Sequence, residues 1–362
     1  DQRVHRSALT LSELGHRVTL IGRKMSRSPE VEERPYKIKR FHLWFEKGPL
    51  FYATYNLRLF IYLLFHRSDL LFANDLDTLA ANRMVKFLKG IPLVYDSHEY
   101  FTGVPELENR PFVQSIWKKI EKACIKGVDR MITVNRSIAD LYHREYQLDV
   151  EVVRNVPLGA VYADETIDKT GLRKKLGLPT DKKIVIIQGA GINIQRGAEE
   201  AVESMRYVEN TILLVIGGGD VLQELQMLVD KYQLADKVIF KPRMPFNELI
   251  QYTSSADLGL TLDKDTNLNY RFSLPNKLFD YIQAGLPVLA SRLPEVEKIV
   301  SEYSIGTFIH SHDPKEVAQK INEILRDTAT LDQWKKNGEL ASRELTWQRE
   351  SLKFIKVFDG LL

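Results

Sequence analysis

The chain has 362 residues, 44% hydrophobic and 27% charged, with a formal net charge of +3 at pH 7. This is ordinary globular composition, which excludes extended disorder, and so small a charge excludes a dedicated nucleic-acid binder. The lone cysteine, Cys124, excludes an internal disulfide framework and a cysteine-rich zinc site and fits a reducing cytoplasm, while the length calls for two domains.

In chain order, residues 1–16 have neither the basic nor the apolar character of a signal segment. β-Rich runs then alternate with helical patterns at 17–22, 36–43, 69–75, 92–99, 130–135 and 151–155. The most apolar helical stretch, 50–65, is flanked by Lys47, His66 and Arg67 and falls short of the roughly 20 apolar residues that span a bilayer. It either dips an aromatic face into a membrane surface or packs as a mostly buried helix. The second reading is preferred because interrupted apolar runs are common in cores. The expected location is therefore cytoplasmic, with at most a peripheral contact at the inner face of the membrane.

Open parallel sheets bind ligands at the carboxyl ends of their strands, so polar groups following the runs are the candidates. Asn74 and Asp75 end the third run. Asp75-Leu-Asp77 matches an Asp-x-Asp metal pattern, but so short a match is weak and the two residues serve equally to start and cap a helix, so no metal is expected. Asp96, His98 and Glu99 end the fourth run. His98 is the catalytic candidate, against the alternative of a structural histidine.

The second half repeats the scheme, with apolar runs at 183–189, 211–218, 237–243, 258–262, 287–292 and 306–309, the pattern of a buried parallel sheet. Residues 162–182, containing Gly171, Gly177 and Pro179, are the expected connection between domains. In Gln188-Gly-Ala-Gly-Ile-Asn-Ile-Gln-Arg-Gly197, Gly189 and Gly191 let backbone approach a phosphate and Arg196 supplies positive charge; otherwise Arg196 is a solvated helix-start residue. Gly217 to Gly219 fit a tight turn.

Residues 273–291 join a helix start at Pro275 to a stop at Gly285 and Pro287, then an apolar run. The helix start favours phosphate at Asn276 and Lys277, and Asp280, on the face of Asn276, can accept from both ribose hydroxyls. The competing reading is an amphipathic helix that buries Leu278, Tyr281 and Ile282 and leaves Lys277 and Asp280 as a solvated pair.

Pro275-Asn-Lys-Leu-Phe-Asp-Tyr281, followed by Ala284-Gly-Leu-Pro-Val288, resembles the donor-site signature of the retaining glycosyltransferases of family 4. The resemblance implies an α/β protein of the GT-B fold, two Rossmann-like doubly wound domains facing across a cleft. It implies an acceptor-side domain at 1–160, a nucleotide-sugar domain at 161–345 and a final helix, 346–362, returning to the first domain with Leu352, Phe354, Ile355 and Phe358 available for burial. His98 would face the transferred sugar, and Asn74, Asp75 and Glu99 would lie on the acceptor side. The donor would meet Gly189, Gly191, Arg196, Asn276, Lys277 and Asp280, with Arg243 and Met244 beside the base.

Three departures stand out. Ala190 replaces a frequent arginine. Phe272 falls where the first of two paired glutamates belongs, with Asp280 in place of the second. The strand and glycine loop that ordinarily precede the first helix are not found before residue 1. The implied activity moves a hexose from a nucleotide-sugar to a glycan, lipid-linked or other small acceptor in cell-surface polysaccharide or glycoconjugate synthesis. The donor is a substrate and no cofactor is implied. The alternatives are a nucleotide-sugar epimerase and a noncatalytic nucleotide-sugar-binding protein.

Overall fold

The computed structural model describes residues 2–26, 28, 30–159 and 168–361. Contacts divide the chain into two compact units, Asp1–Asn155 with Gln348–Leu362, and Val156–Trp347. Of the expected connection, residues 162–167 lie outside the described residues, while Lys169–Leu176 form a helix capped by Asp168 and closed by the left-handed Gly177.

The first unit contains β1 (Thr19–Lys24), β2 (Lys37–His42), β3 (Leu71–Asn74), β4 (Leu93–Ser97), β5 (Arg130–Thr133) and β6 (Val150–Val152), with α1 (Gln2–Glu13), α2 (Gly48–Phe65) and α3 (Leu76–Lys89). β3 to β6 form a parallel sheet in sequence order, whereas β1 and β2, among the described residues, pair only with each other. The doubly wound sheet expected here is therefore found in two pieces. β4 is buried at all five positions, as a central parallel strand must be.

α2 buries Phe51, Tyr55, Leu59 and Leu63, one residue per turn, and exposes Leu57, Ile61 and Phe65 on the opposite side. The expectation of a mostly buried helix is corrected: Leu50, Leu57, Ile61 and Phe65 meet solvent. From Gln348 on, the final helix, Trp347–Lys356, belongs to the first unit, where Phe354 packs edge-on against Phe72 with ring centres 6.0 Å apart. Glu350 Oε2 accepts from the backbone N–H of Arg154 at 3.0 Å. Phe354 and Phe358 are buried as expected, but Leu352 is exposed and Val357 is buried instead.

The second unit carries β7 (Lys183–Gly189), β8 (Thr211–Gly217), β9 (Val238–Pro242), β10 (Leu258–Thr261), β11 (Val288–Ala290) and β12 (Gly306–Phe308) in one parallel sheet ordered β12-β11-β10-β7-β8-β9. The order reverses between β10 and β7, and ligands of such sheets bind outside the carboxyl ends of the strands at that reversal. The helix Asn276–Gln283 starts after Pro275, which takes the capping position, and stops at the left-handed Gly285. No described helix is long and apolar enough to cross a membrane.

Candidate active site

Asp263 follows β10 at the reversal point and is 1% exposed. Its carboxylate accepts from Thr261 Oγ1 at 3.2 Å and faces Lys277 Nζ and Arg196 Nη1, each at 3.2 Å. Burial alone would raise the Asp263 pKa, but Lys277 and Arg196 outweigh it and hold the carboxyl below its ordinary value. Burial also pulls the Lys277 ammonium below its ordinary value, against the attraction of Asp263.

Gly197 makes this gathering possible. Its φ is +74°, and a Cβ there would lie 2.3 Å from Leu262 O, so only glycine lets the loop bring Arg196 beside the end of β10. Arg196 also lies over the Tyr270 ring at 4.8 Å.

The two cations expected at a phosphate are thus found together, on a buried carboxylate that sequence reasoning missed. The available signal was an aspartate just beyond the end of a wholly buried strand. Lys277 sits in the first turn of the helix Asn276–Gln283, at the positive end of the helix dipole. Ser273 Oγ, just ahead of that helix, is buried without a hydrogen-bond partner.

Asp280 Oδ2 accepts from Gln188 Nε2 at 3.1 Å, and Gln188 Oε1 accepts from Thr253 Oγ1 at 2.7 Å. One oxygen of Asp280 is therefore turned inward to the end of β7. The solvated Lys277–Asp280 pair is also corrected, because the lysine's ion partner is Asp263.

A Cβ at Gly189 or Gly191 would meet nothing nearer than 3.9 and 3.4 Å, respectively, which is ordinary contact, so neither position requires glycine for space. Gly217 and Gly219 are different. Added Cβ atoms would lie 1.8 Å from Gly189 O and 2.0 Å from Ile192 O, so these glycines let the loops after β7 and β8 interlock. Arg243, exposed, and Met244 follow the outermost strand β9, with β8 between them and β7.

In the first unit, Arg3 of α1 is 1% exposed and grips Asp96 with two bonds, Nε to Oδ2 at 2.8 Å and Nη2 to Oδ1 at 2.7 Å. Its Nη1 donates to Val153 O at 2.7 Å. His98 lies between two carboxylates, Nδ1 3.1 Å from Asp75 Oδ2 and Nε2 3.4 Å from Asp96 Oδ2. Its backbone N–H donates to Asp75 Oδ1 at 2.9 Å. A sugar hydroxyl could reach either ring nitrogen only by sharing it with a carboxylate.

Asp75 adopts φ 59° and ψ 165°, a region that costs a non-glycine residue about 1–3 kcal/mol and persists only where surroundings enforce it. The bonds to His98 supply that constraint. Glu99 lies in the turn after β4, where its carbonyl accepts from Ser97 Oγ at 2.7 Å.

Burial would lower the His98 pKa, but Asp75 and Asp96 outweigh it and push the value up to about 10. The folded protein therefore holds this proton more tightly than the unfolded chain. The stabilisation is complete below the ordinary value of 6.5 and is lost as pH rises through about 10. Thermal melting from neutral pH to about pH 10 should fall more steeply for the wild type than for His98→Asn. Parallel curves would show that the imidazolium is not the group responsible.

Beside this cluster lies a pocket of about 450 Å³ whose lining includes Arg23, Lys47, Tyr52, Asn74 and Asp77. Asn74 Oδ1 is buried there without a hydrogen-bond partner. Burial, reinforced by neighbouring Asp75, pushes Asp77 up to about 6. Asn74 is thus brought to a cavity while Asp75 is taken up by His98. Sequence reasoning missed Arg23, Tyr52 and Asp77, because nothing local to those positions announces that β1 and α2 meet at the end of β3.

A six-stranded parallel sheet with a cation cluster at its reversal point has the construction of doubly wound nucleotide-binding proteins. The family described as "Glycosyl transferases group 1" matches residues 168–341, and "Glycosyltransferase Family 4" matches residues 2–159. The chain belongs to the family 4 glycosyltransferases, whose fold is GT-B.

Sucrose-phosphate synthase from Thermosynechococcus elongatus superposes over 99% of this chain and 92% of its own, with a TM-score of 0.80 at 20% identity. Among curated relatives, a D-inositol 3-phosphate glycosyltransferase of Xylanimonas cellulosilytica is 22% identical over 66% of this chain and 58% of its own length. A chitobiosyldiphosphodolichol beta-mannosyltransferase of Candida albicans is 24% identical over 76% of this chain and 63% of its own. The chain thus spans somewhat more than half the length of these relatives.

Proposed function

We propose that this chain moves a hexose from a nucleotide-sugar to a glycan, lipid-linked or other small acceptor, with retention of configuration, in glycoconjugate or cell-surface polysaccharide synthesis. The observation carrying the proposal is the meeting of Lys277, Arg196 and a helix start at the reversal point of the second sheet. As the bond to the sugar breaks, charge grows on the departing diphosphate, and fixed cations and amides stabilise it without reorganising. Asp280, supported by Gln188, is assigned to the ribose. A solved structure of similar fold, HepE from Anabaena, holds UDP-glucose, which supports a donor of this type.

The acceptor is assigned to the first-unit pocket, with Asn74 and Asp77 meeting hydroxyls and Tyr52 offering a ring face. The donor is a substrate, no cofactor takes part, and the lone cysteine supports a cytoplasmic setting. Retention is read from the anomeric configuration of the product, since a retaining enzyme gives an α-linkage from an α-linked donor.

Lys277→Ala tests the donor assignment. Losing one charge-assisted bond, about 1.5–3 kcal/mol, should weaken nucleoside diphosphate binding roughly 10- to 100-fold by calorimetry. Unaltered affinity would remove Lys277 from the phosphate site. Chelator-treated protein should keep its full transfer rate. A rate that disappears and returns with magnesium or manganese would reopen Asp75 and Asp77 as metal ligands.

A further inference from the structure

In the first unit α3 packs against both α2 and the helix Pro111–Ile125. Asn56 Nδ2 of α2 donates to Asp77 O at the start of α3 at 2.7 Å. Lys89 Nζ at the end of α3 donates to Leu63 O and His66 O, at 2.9 and 2.8 Å. These bonds fix α2 and α3 side by side and parallel. Tyr52 of α2 meets Trp117 of the third helix edge-on, ring centres 5.0 Å apart.

The outward faces of these helices are apolar. α2 exposes Leu57, Ile61 and Phe65, one per turn, and α3 exposes Met84, Phe87 and Leu88. Phe65 is 78% exposed, Phe87 79%, and Trp44, just ahead of α2, 87%. Single apolar side chains on a surface are ordinary, but several gathered on two locked helices mark an interaction face.

The charge along α2 and on the exposed side of the third helix has one sign. From Lys47 to Ser68 the chain carries Arg58, His66 and Arg67 and no acidic residue. The third helix lines a shallow groove of about 260 Å³ with Lys118, Lys119 and Lys122. Its only acidic residue, Glu121, is fully buried, its oxygens accepting from Tyr146 and Tyr142 at 2.7 and 3.3 Å.

We infer that the face built by α2, α3 and Pro111–Ile125 docks on the surface of an anionic lipid bilayer. Leu57, Ile61, Phe65 and Phe87 enter the boundary between headgroups and acyl chains, while Arg58, Arg67 and the three lysines meet headgroup phosphates. A second copy of the chain suits the face poorly, because it would set lysine against lysine. Nucleic acid would leave the aliphatic stripe of α2 without a partner. The helices lie on the membrane and do not cross it.

The test uses the full chain and needs no sugar substrate, so its failure is separate from failure of the transferase reading. Protein is floated with vesicles of phosphatidylcholine alone, or with about one-third phosphatidylglycerol, at low and high salt. Binding is expected on the phosphatidylglycerol vesicles and should weaken with salt. Phe65→Ser with Phe87→Ser should reduce the bound fraction about tenfold or more. Lys118→Gln with Lys119→Gln and Lys122→Gln should lower binding on anionic vesicles alone. Melting temperatures equal to wild type show that the variants are folded, as expected for exposed positions.

Three results overturn the inference: no binding to anionic vesicles at low salt, equal binding to both vesicle types, or binding unaltered in the phenylalanine variant. A dimer that dissociates in the phenylalanine variant would assign the face to a second copy instead.

Discussion

Replacing Asp96 with alanine is expected to destabilise the protein by about 3–5 kcal/mol, the largest stability effect of any single change in the active-site region. Arg3 would stay buried with its two bonds to the carboxylate gone, while its Nη1 bond to Val153 O remains. An uncompensated buried guanidinium costs far more than the pair contributes over an apolar replacement. His98 would lose one of its carboxylates in the same change. Asp96→Asn keeps an acceptor for Arg3 and should cost less than the alanine variant. Thermal unfolding of both variants decides the matter, and an alanine variant melting with the wild type would sink it.

His98→Ala should cut transfer by about 100-fold while leaving nucleoside diphosphate affinity within twofold of wild type. His98 is built into the first unit, and the groups assigned to the nucleotide all belong to the second. Removing the imidazolium sets Asp75 and Asp96 against each other without the cation between them. It also releases the Asp75 backbone, which adjoins Asn74 of the pocket proposed for the acceptor. Turnover and calorimetric affinity measured on one preparation separate the outcomes. Full turnover returns His98 to a structural role, and lost affinity means the division between units is wrong.

The second unit was the more legible in sequence, for a physical reason. Buried parallel strands are continuous apolar runs, and each of the six expected runs contains one strand of the sheet. The helix Asn276–Gln283 was equally plain, since its start, polar residues and stop lie within a short local stretch. Contacts between distant segments were not legible. Arg3 and Asp96 lie 93 positions apart, and Arg196 and Asp263 lie 67 apart.

Side-chain type showed that Lys277 and Arg196 carry charge but not that one buried aspartate holds both. For the same reason Asp77 read as a helix-start residue, because the pocket around it also needs β1 and α2. The outer face of α2 was misjudged because an apolar run with interruptions looks alike in a core and on an interaction face. Only the position of α3 and the lysine-bearing helix tells them apart.

The carboxylate of Asp263 has a further consequence for the end of a catalytic cycle. A bare cationic site would hold a spent nucleoside diphosphate tightly and turn over slowly, because nothing else neutralises its lysine and arginine. Here the counter-ion is built in at 3.2 Å from each cation. On the proposed assignment, Lys277 and Arg196 would still face Asp263 once the diphosphate departs, so product release would not leave the buried Lys277 ammonium without a counter-ion. In a transferase made this way, the aspartate trades some grip on the donor for an easier exit of what remains of it.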